Sequence, residues 1–573
     1  MKSICLLLTC LLFKLISFGQ DNHRITEREK AEMPSYLLHS SQRNLNSSPP
    51  SSNVRASAEW EEIDALMITW TSYTTILKEI VRAAQSETQV LIICSDSNAV
   101  KTSLTSASIP LQNVHYIVAP FNTIWCRDYG QWNIYTNDVD SLGLIDWIYN
   151  RPRANDDAVP TAIQNYTGLP MYSTTTPPND LVHTGGNFMC DGFGTGFSSD
   201  LILNENSGKT EAQIDTIMKS FMGISRYIKF PTLPYDVIHH IDMHIKLIDE
   251  ETLLVGQYPT GVADGPQIEA NLQYILSNFN SVFGTPYKVV RIPMPPDASG
   301  AYPNTNGDYR TFTNSVFVNK TIILPTYSNQ YDSTAIRIYH EALPGYTITG
   351  IDCNSIIPSL GAIHCITKEV AAKDPLLISH QPLHDTYQTT GTYHVDALIK
   401  HRSGIQNATL YFTTDTLLAY QTLTMTAVTG SNDHWETEIP SQPAGTTVYY
   451  YIEANSFSGK TQVRPIVAPR GYWTFTILLN TSISSVTSEA IMLYPIYPNP
   501  SHGLTCIPVS TNSNEEIELS IKNVLSNECR LIYSGKNSGE KKYFIDSESM
   551  AAGIYIVELK TSAQFYYQKI IVR

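Results

Sequence analysis

From Ala58 to about Lys368, short apolar runs alternate with stretches of helical spacing. Ala65-Leu66-Met67-Ile68-Thr69-Trp70 reads as a strand, Tyr73 to Ala84 repeats its apolar positions with a helical period, and Val90-Leu91-Ile92-Ile93-Cys94 reads as a strand again. Alternating units of this kind predict an α/β domain. From about 385 to 478 the helices disappear. His394 to Ile399, Ala408 to Phe412, Trp435 to Ile439, Thr447 to Ala454 and Tyr472 to Ile477 are strand candidates separated by turn residues, the pattern of a β-sandwich. Thr481 to Glu489 is a polar linker, and Ala490 to Arg573 alternates again as a small sandwich would. At the other end, Lys2, the apolar run Ile4 to Leu12, and the small residues Ser17 and Gly19 predict a cleaved export signal. Lys14 keeps that run short of a membrane span, and no later segment is long and apolar enough to cross a bilayer. Residues 20–53, closed by Ser47-Ser48-Pro49-Pro50-Ser51-Ser52, read as a flexible leader outside the core, either a pro-segment or a linker. The expected divisions are thus 1–19, 20–53, 54–372, 373–480 and 481–573.

Composition narrows the function classes. Lys+Arg 38 against Asp+Glu 53 leaves a net charge of −15, so no overall positive field exists to hold nucleic acid. Charged residues make up only 16%, and 34 tyrosines and 32 prolines fit a β-rich exported protein. Of nine cysteines, Cys5 and Cys10 would leave with the signal. The odd remainder cannot all pair, and no Cys-x-x-Cys suggests zinc.

Candidate chemistry falls in five places. In His239-His240-Ile241-Asp242-Met243-His244, a strand period would put His240, Asp242 and His244 on one face. An imidazole and a carboxylate there could move a proton and hold a cation; a satisfied core histidine or a metal cluster are the alternatives. Trp125-Cys126-Arg127-Asp128 sets a carboxylate beside an indole, a pair suited to a planar cation. Arg151-Pro152-Arg153 could clamp a carboxylate. Glycines in His183-Thr184-Gly185-Gly186-Asn187 and Asp191 to Gly196 suit tight turns at a rim better than a phosphate loop. Gly361-Ala362-Ile363-His364-Cys365 presents a thiol after a small-residue turn, either a nucleophile or a disulfide partner of Cys353.

Taken in order, Trp125 to Asp128, Arg151-Pro152-Arg153-x-Asn155-Asp156-Asp157, His183 to Asn187, His240-Ile241-Asp242, Thr313-Asn314-Ser315 and Gly361 to Cys365 resemble the bacterial peptidylarginine deiminases, relatives of the agmatine deiminases, over about residues 55 to 370. The resemblance implies a five-bladed α/β propeller followed by an immunoglobulin-like domain. It implies Cys365 as nucleophile, His240 as general acid/base, Asp128 and Asp242 as guanidinium ligands and Asn314 as a positioning residue. Trp125 would pack on the substrate side chain, and Arg151 and Arg153 would bind a C-terminal carboxylate. It further implies hydrolysis of peptidyl arginine to citrulline and ammonia with no cofactor and no metal. The twin arginines, and His183 where agmatine-type enzymes tend to carry an acid, favour arginine over agmatine; an exported agmatine or free-arginine deiminase and a non-catalytic surface adhesin are the alternatives. Pro498-Asn499-Pro500-Ser501-x-Gly503, Ala552-Gly553-Ile554-Tyr555 and Lys569-Ile570-Ile571-Val572 resemble the C-terminal sorting domains of type IX secretion. That implies the type IX machinery and arginine-containing peptides or proteins as partners, and release or attachment at the outer cell surface.

Overall fold

The helix Thr74–Ala84 buries Ile76, Leu77, Ile80, Val81 and Ala84, one stripe at helical spacing, and joins the parallel strands Ile63–Thr69 and Gln89–Cys94. These elements come from a computed structural model that describes residues 23–40, 46–431, 433–479, 491–524, 526, 528–562 and 564–573. The export signal expected at 1–19 and the linker at 481–489 lie outside the described residues.

The same unit, an antiparallel strand pair, a helix and a parallel third strand, occurs five times, each on a separate sheet. Trp132–Thr136 and Ser141–Tyr149 precede helix Val159–Thr167 and strand Met171–Thr174. Met189–Cys190 and Thr195–Ser199 precede helix Glu211–Met222 and strand Arg226–Phe230. Ile245–Leu247 and Thr252–Gln257 precede helix Gly265–Asn278 and strand Lys288–Pro293. Val316–Val318 and Thr321–Thr326 precede helix Asn329–Ala342 and strand Thr347–Asp352. The fifth unit takes its outer strand, Lys368–Ala371, from the far end of the domain and pairs it antiparallel with Ile63–Thr69. That pairing ties residue 371 to residue 63 and closes the series on itself.

Residues 377–476 carry eight strands, antiparallel throughout, in a nearly closed sheet whose inward positions include Val395, Ala397, Ile399, Leu410 and Ile452. Lys460 reaches Glu62 at 2.7 Å and Arg464 reaches Glu250 at 3.2 Å, so this β-rich part is pinned to the α/β part by charge. Two of its strands, Gln421–Ala427 and Thr461–Arg464, escape the hydrophobic pattern because most of their residues stay at least partly exposed. The described residues from 491 onward form a second compact unit. Its strands Ile491–Leu493, Leu504–Asn523, Cys529–Asp546, Gly553–Thr561 and Phe565–Val572 make one antiparallel sheet around Ile507, Val509, Leu519, Val557 and Ile570. No helix among the described residues is long and apolar enough to cross a membrane.

Two expectations are corrected. His239 has a positive φ of 59°, which breaks the extended run, and Ile241–Met243 is a single 3-10 turn before the short strand Ile245–Leu247. His240, Asp242 and His244 therefore do not line one face of a strand. The leader is not wholly loose either: Glu27–Ser40 is helical, started by a reciprocal cap in which Glu29 accepts from the Thr26 amide at 2.8 Å and donates its own amide to the Thr26 hydroxyl at 3.2 Å.

Candidate active site

Asp128, Asp242 and Cys365 sit on the one-turn helices Cys126–Tyr129, Ile241–Met243 and His364–Ile366, beside a fourth such turn, Gly185–Asn187; His240 caps Ile241–Met243 and Asn314 lies just before strand Val316–Val318. Such turns end a strand abruptly, and neighbouring turns pack against one another at the site. Two glycines allow it. A Cβ on Gly186 would stand 2.5 Å from Nδ1 of His240 and 3.1 Å from Oδ1 of Asp128, and one on Gly361 would stand 2.5 Å from the Trp125 ring.

At the centre is Cys365, fully buried and not paired with Cys353, which is a separate buried thiol. Asn314 Nδ2 donates to its Sγ at 3.2 Å, while Asn314 Oδ1 accepts from the backbone amide of His364 at 3.0 Å and from that of Cys365 at 3.4 Å. The thiol lies 3.7 Å from Asp242 Oδ2. Burial, followed by the Asp242 and Asp128 carboxylates, pushes the Cys365 thiol well above its usual range. Without a cation beside it, the sulfur holds its proton.

Asp242 is oriented from behind. His364 Nδ1 bonds its Oδ2 at 2.7 Å, His364 Nε2 bonds Glu59 at 2.8 Å, and the Asp242 backbone carbonyl accepts from Thr313 at 2.9 Å. Its other oxygen, Oδ1, is buried with no hydrogen-bond partner among the described residues. Asp128 accepts from the Gly186 amide at 3.2 Å and lies 3.5 Å from His240 Nδ1. Burial raises the Asp128 carboxyl, but His23, His240 and Arg151 outweigh it and hold it below the usual carboxylate range. Burial carries the His240 ring down to about 4, against the opposing pull of Asp128, so the imidazole is neutral at pH 7. Two carboxylates, one imidazole and one thiol thus converge on a buried site: the set can align a planar cation, present sulfur to its central carbon and move a proton.

Trp125 offers its ring face to the same space, where the His23 imidazole stacks on it at 4.2 Å with an interplanar angle of 5°. Of the twin arginines, Arg151 donates Nη1 to the Asn150 carbonyl at 3.0 Å, whereas Arg153 Nε donates to the Glu29 carboxylate at 2.7 Å. The carboxylate contact therefore falls on Arg153. His183 sits in a packed niche, stacked on Trp147 at 4.2 Å, and burial lowers it to about 3. His244 is buried near Phe230 with neither ring nitrogen hydrogen-bonded among the described residues, and Asp242, not His244, meets the thiol.

Residues the sequence did not single out complete the surroundings. Arg127, fully buried, donates to Glu369 at 2.8 Å and lies 3.7 Å from Glu59. Glu205 accepts from Asn150 Nδ2 at 2.7 Å, and burial raises it to about 7. Ligand atoms of His23, Asp128 and His240, and those of Glu59, His364 and Glu369, lie within 4.8 Å of one another. In the first group His23 bonds Asp128 directly, and in the second Arg127 already supplies the cation.

The sequence pattern of the Porphyromonas-type peptidyl-arginine deiminases matches residues 55–370, more than half of the chain, which belongs to that family. The chain is accordingly a guanidino-group deiminase-family enzyme, a hydrolase of the guanidino C–N bond. Residues 495–573 match the secretion system C-terminal sorting domain, so the protein engages the type IX machinery and is secreted or attached at the outer surface. A curated "Putative agmatine deiminase" of Mycoplasma mycoides is 24% identical over 366 residues, covering 57% of this chain and 98% of that protein. Among solved structures, a "Putative Arginine Deiminase" from Porphyromonas gingivalis aligns with a TM-score of 0.50 at 21% identity, covering 56% of this chain and 98% of its own. The agmatine deiminase of Enterococcus faecalis gives 0.50 at 18% identity over 57% of this chain and 100% of its own. The mixed α/β fold is thus that of the arginine and agmatine deiminases.

Proposed function

We propose that the protein hydrolyses arginine with a free α-carboxylate, above all the C-terminal arginine of peptides and proteins, to citrulline and ammonia. The observation that carries this reading is Arg153, buried at the rim with its Nε on a carboxylate at 2.7 Å. Agmatine has no carboxylate to place there. The five strand-helix units are, in this reading, the blades of an α/β propeller over 54–372, and the β-rich part over 373–480 is an immunoglobulin-like domain.

The chemistry follows from the side chains. The guanidinium lies between Asp128 and Asp242, with Asp242 Oδ1 open to receive an N–H, and its alkyl arm packs on Trp125. Seating this cation offsets the two carboxylates that hold the proton on Cys365, so substrate binding itself generates the thiolate. The released proton goes to neutral His240. Sulfur adds to the guanidinium carbon, and His240 returns the proton to one terminal nitrogen, which leaves as ammonia. A thiouronium cation remains on Cys365. His240 then deprotonates a water that adds to the same carbon, the C–S bond breaks, and citrulline forms. Asn314 keeps the sulfur in line throughout.

The test is citrulline release by the full chain, before and after limited proteolysis of its leader, from a peptide ending in arginine, the same peptide amidated, and agmatine. Preference for the free carboxylate, lost in Cys365→Ala, supports the reading. Turnover of agmatine alone, or activity retained in Cys365→Ala, overturns it.

A further inference from the structure

The group occupying the site is part of the same chain. His23 is fully buried, 105 residues from Asp128 in sequence, and its Nε2 is hydrogen-bonded to Asp128 Oδ2. Its Nδ1 donates to the Leu360 carbonyl at 2.7 Å, its amide donates to Ser359 at 3.3 Å, and its carbonyl accepts from Arg151 Nη2 at 3.5 Å. The ring lies flat on Trp125 and edge-on to His240 with centroids 5.1 Å apart. Six residues on, Glu29 reaches Arg153. We propose that residues 23–40 are a built-in pseudosubstrate that keeps the enzyme latent until the segment is released.

The mimicry has two ends. The Nδ1–Cε1–Nε2 edge of the imidazole is a planar N–C–N unit like that of a guanidinium, and it takes the same aromatic face and the same carboxylate. The Glu29 carboxylate takes the arginine clamp. This occupant cannot react, because both nitrogens are locked in an aromatic ring and neither can depart as ammonia. The Thr26–Glu29 cap fixes the helix start between the two contacts and so sets their spacing.

Within Glu27–Ser40 only Ser40 is buried, and Arg28, Lys30 and Glu32 face water. His23 and Glu29 are the contacts the segment makes with the site, so it blocks the site as a tethered competitor at high effective concentration. Reading the blocked occupant as a guanidinium rests on the proposed function; the blockade itself does not.

The experiment separates the two. The purified full chain, His23→Ala and Glu29→Ala are each treated with 2-chloroacetamidine, an alkylating agent with a planar cationic head, and modification of Cys365 is followed by peptide mass. Citrulline release from a peptide ending in arginine is measured in parallel. The expected result is labelling about 10- to 100-fold faster in His23→Ala, as loss of one buried charged hydrogen bond implies, and reversed by adding a synthetic peptide of residues 23–40. Turnover rises in the same proportion. Faster labelling without any citrulline supports the plug and overturns the substrate reading. Equal labelling rates in the wild type and both variants overturn the plug, whatever the substrate.

Discussion

Arg153→Ala gives the sharpest separation between peptidyl arginine and a small guanidine. The guanidinium is 8% exposed, and its Nε makes a 2.7 Å charged hydrogen bond to the carboxylate it holds. A buried bond to a charged partner is worth about 1.5–3 kcal/mol, and about 2 kcal/mol corresponds to a loss of about 30-fold in kcat/KM. Only substrates with a free α-carboxylate make that bond, so the ratio of kcat/KM for a peptide ending in arginine to that for its amide falls about 30-fold. Freeing Glu29 in the same variant loosens the leader, which raises both rates together and leaves their ratio untouched. Arg153→Lys keeps the charge without the planar fork and recovers part of the ratio. The assay is colorimetric citrulline release with both substrates at several concentrations. An equal loss on the two substrates would refute the clamp.

Arg127→Ala strips the buried Glu369 of the guanidinium that pairs with it, leaving Lys368 at 3.9 Å as its nearest cation, and destabilises the fold by about 3–5 kcal/mol, read from urea unfolding; a loss below about 1 kcal/mol would contradict the network. Asp236 has its Oδ2 buried without a hydrogen-bond partner among the described residues, and burial, with Asp264 and Asp242 nearby, raises its carboxyl to about 8. The folded state therefore keeps a proton that the unfolded chain releases from about pH 4 upward, so this group costs stability as pH rises to about 8 and adds no further loss above it. Asp236→Asn, which keeps the acceptor for the Ile238 amide, gains on the wild type by up to about 1.4 kcal/mol per pH unit over that window. Thermal melts at pH 5 and pH 8 that differ equally for both proteins would contradict it.

The ordered blocks around Asp128, His240, Asp242, Asn314 and Cys365 were legible because each is a short, local signature, and the fold brings all five to one place. What surrounds them was not. Glu59 and His364 are 305 residues apart, and only the closing strand pair brings them together. Period-2 reading of residues 237–248 failed because a one-turn helix flanked by extended residues has nearly the same apolar alternation as a strand, and the positive φ at His239 carries no glycine to announce it. The fivefold repeat was hidden for a related reason: its hairpins turn on different residues, such as Asn137-Asp138 and Asn319, so structure recurs without sequence recurring. In the leader, polar composition outweighed Thr26-x-x-Glu29, which is a capping signature, and a lone buried histidine has no local signal at all.

Rapid acid quench of the leader-free enzyme with a peptide ending in arginine, followed by mass analysis of the Cys365 peptide, tests the chemistry most directly. The expected result is a transient adduct on Cys365 with the mass of the substrate less ammonia, absent in Cys365→Ala together with all citrulline. Citrulline formed at the wild-type rate with no adduct at any quench time, or by the alanine variant, would contradict attack by this thiol.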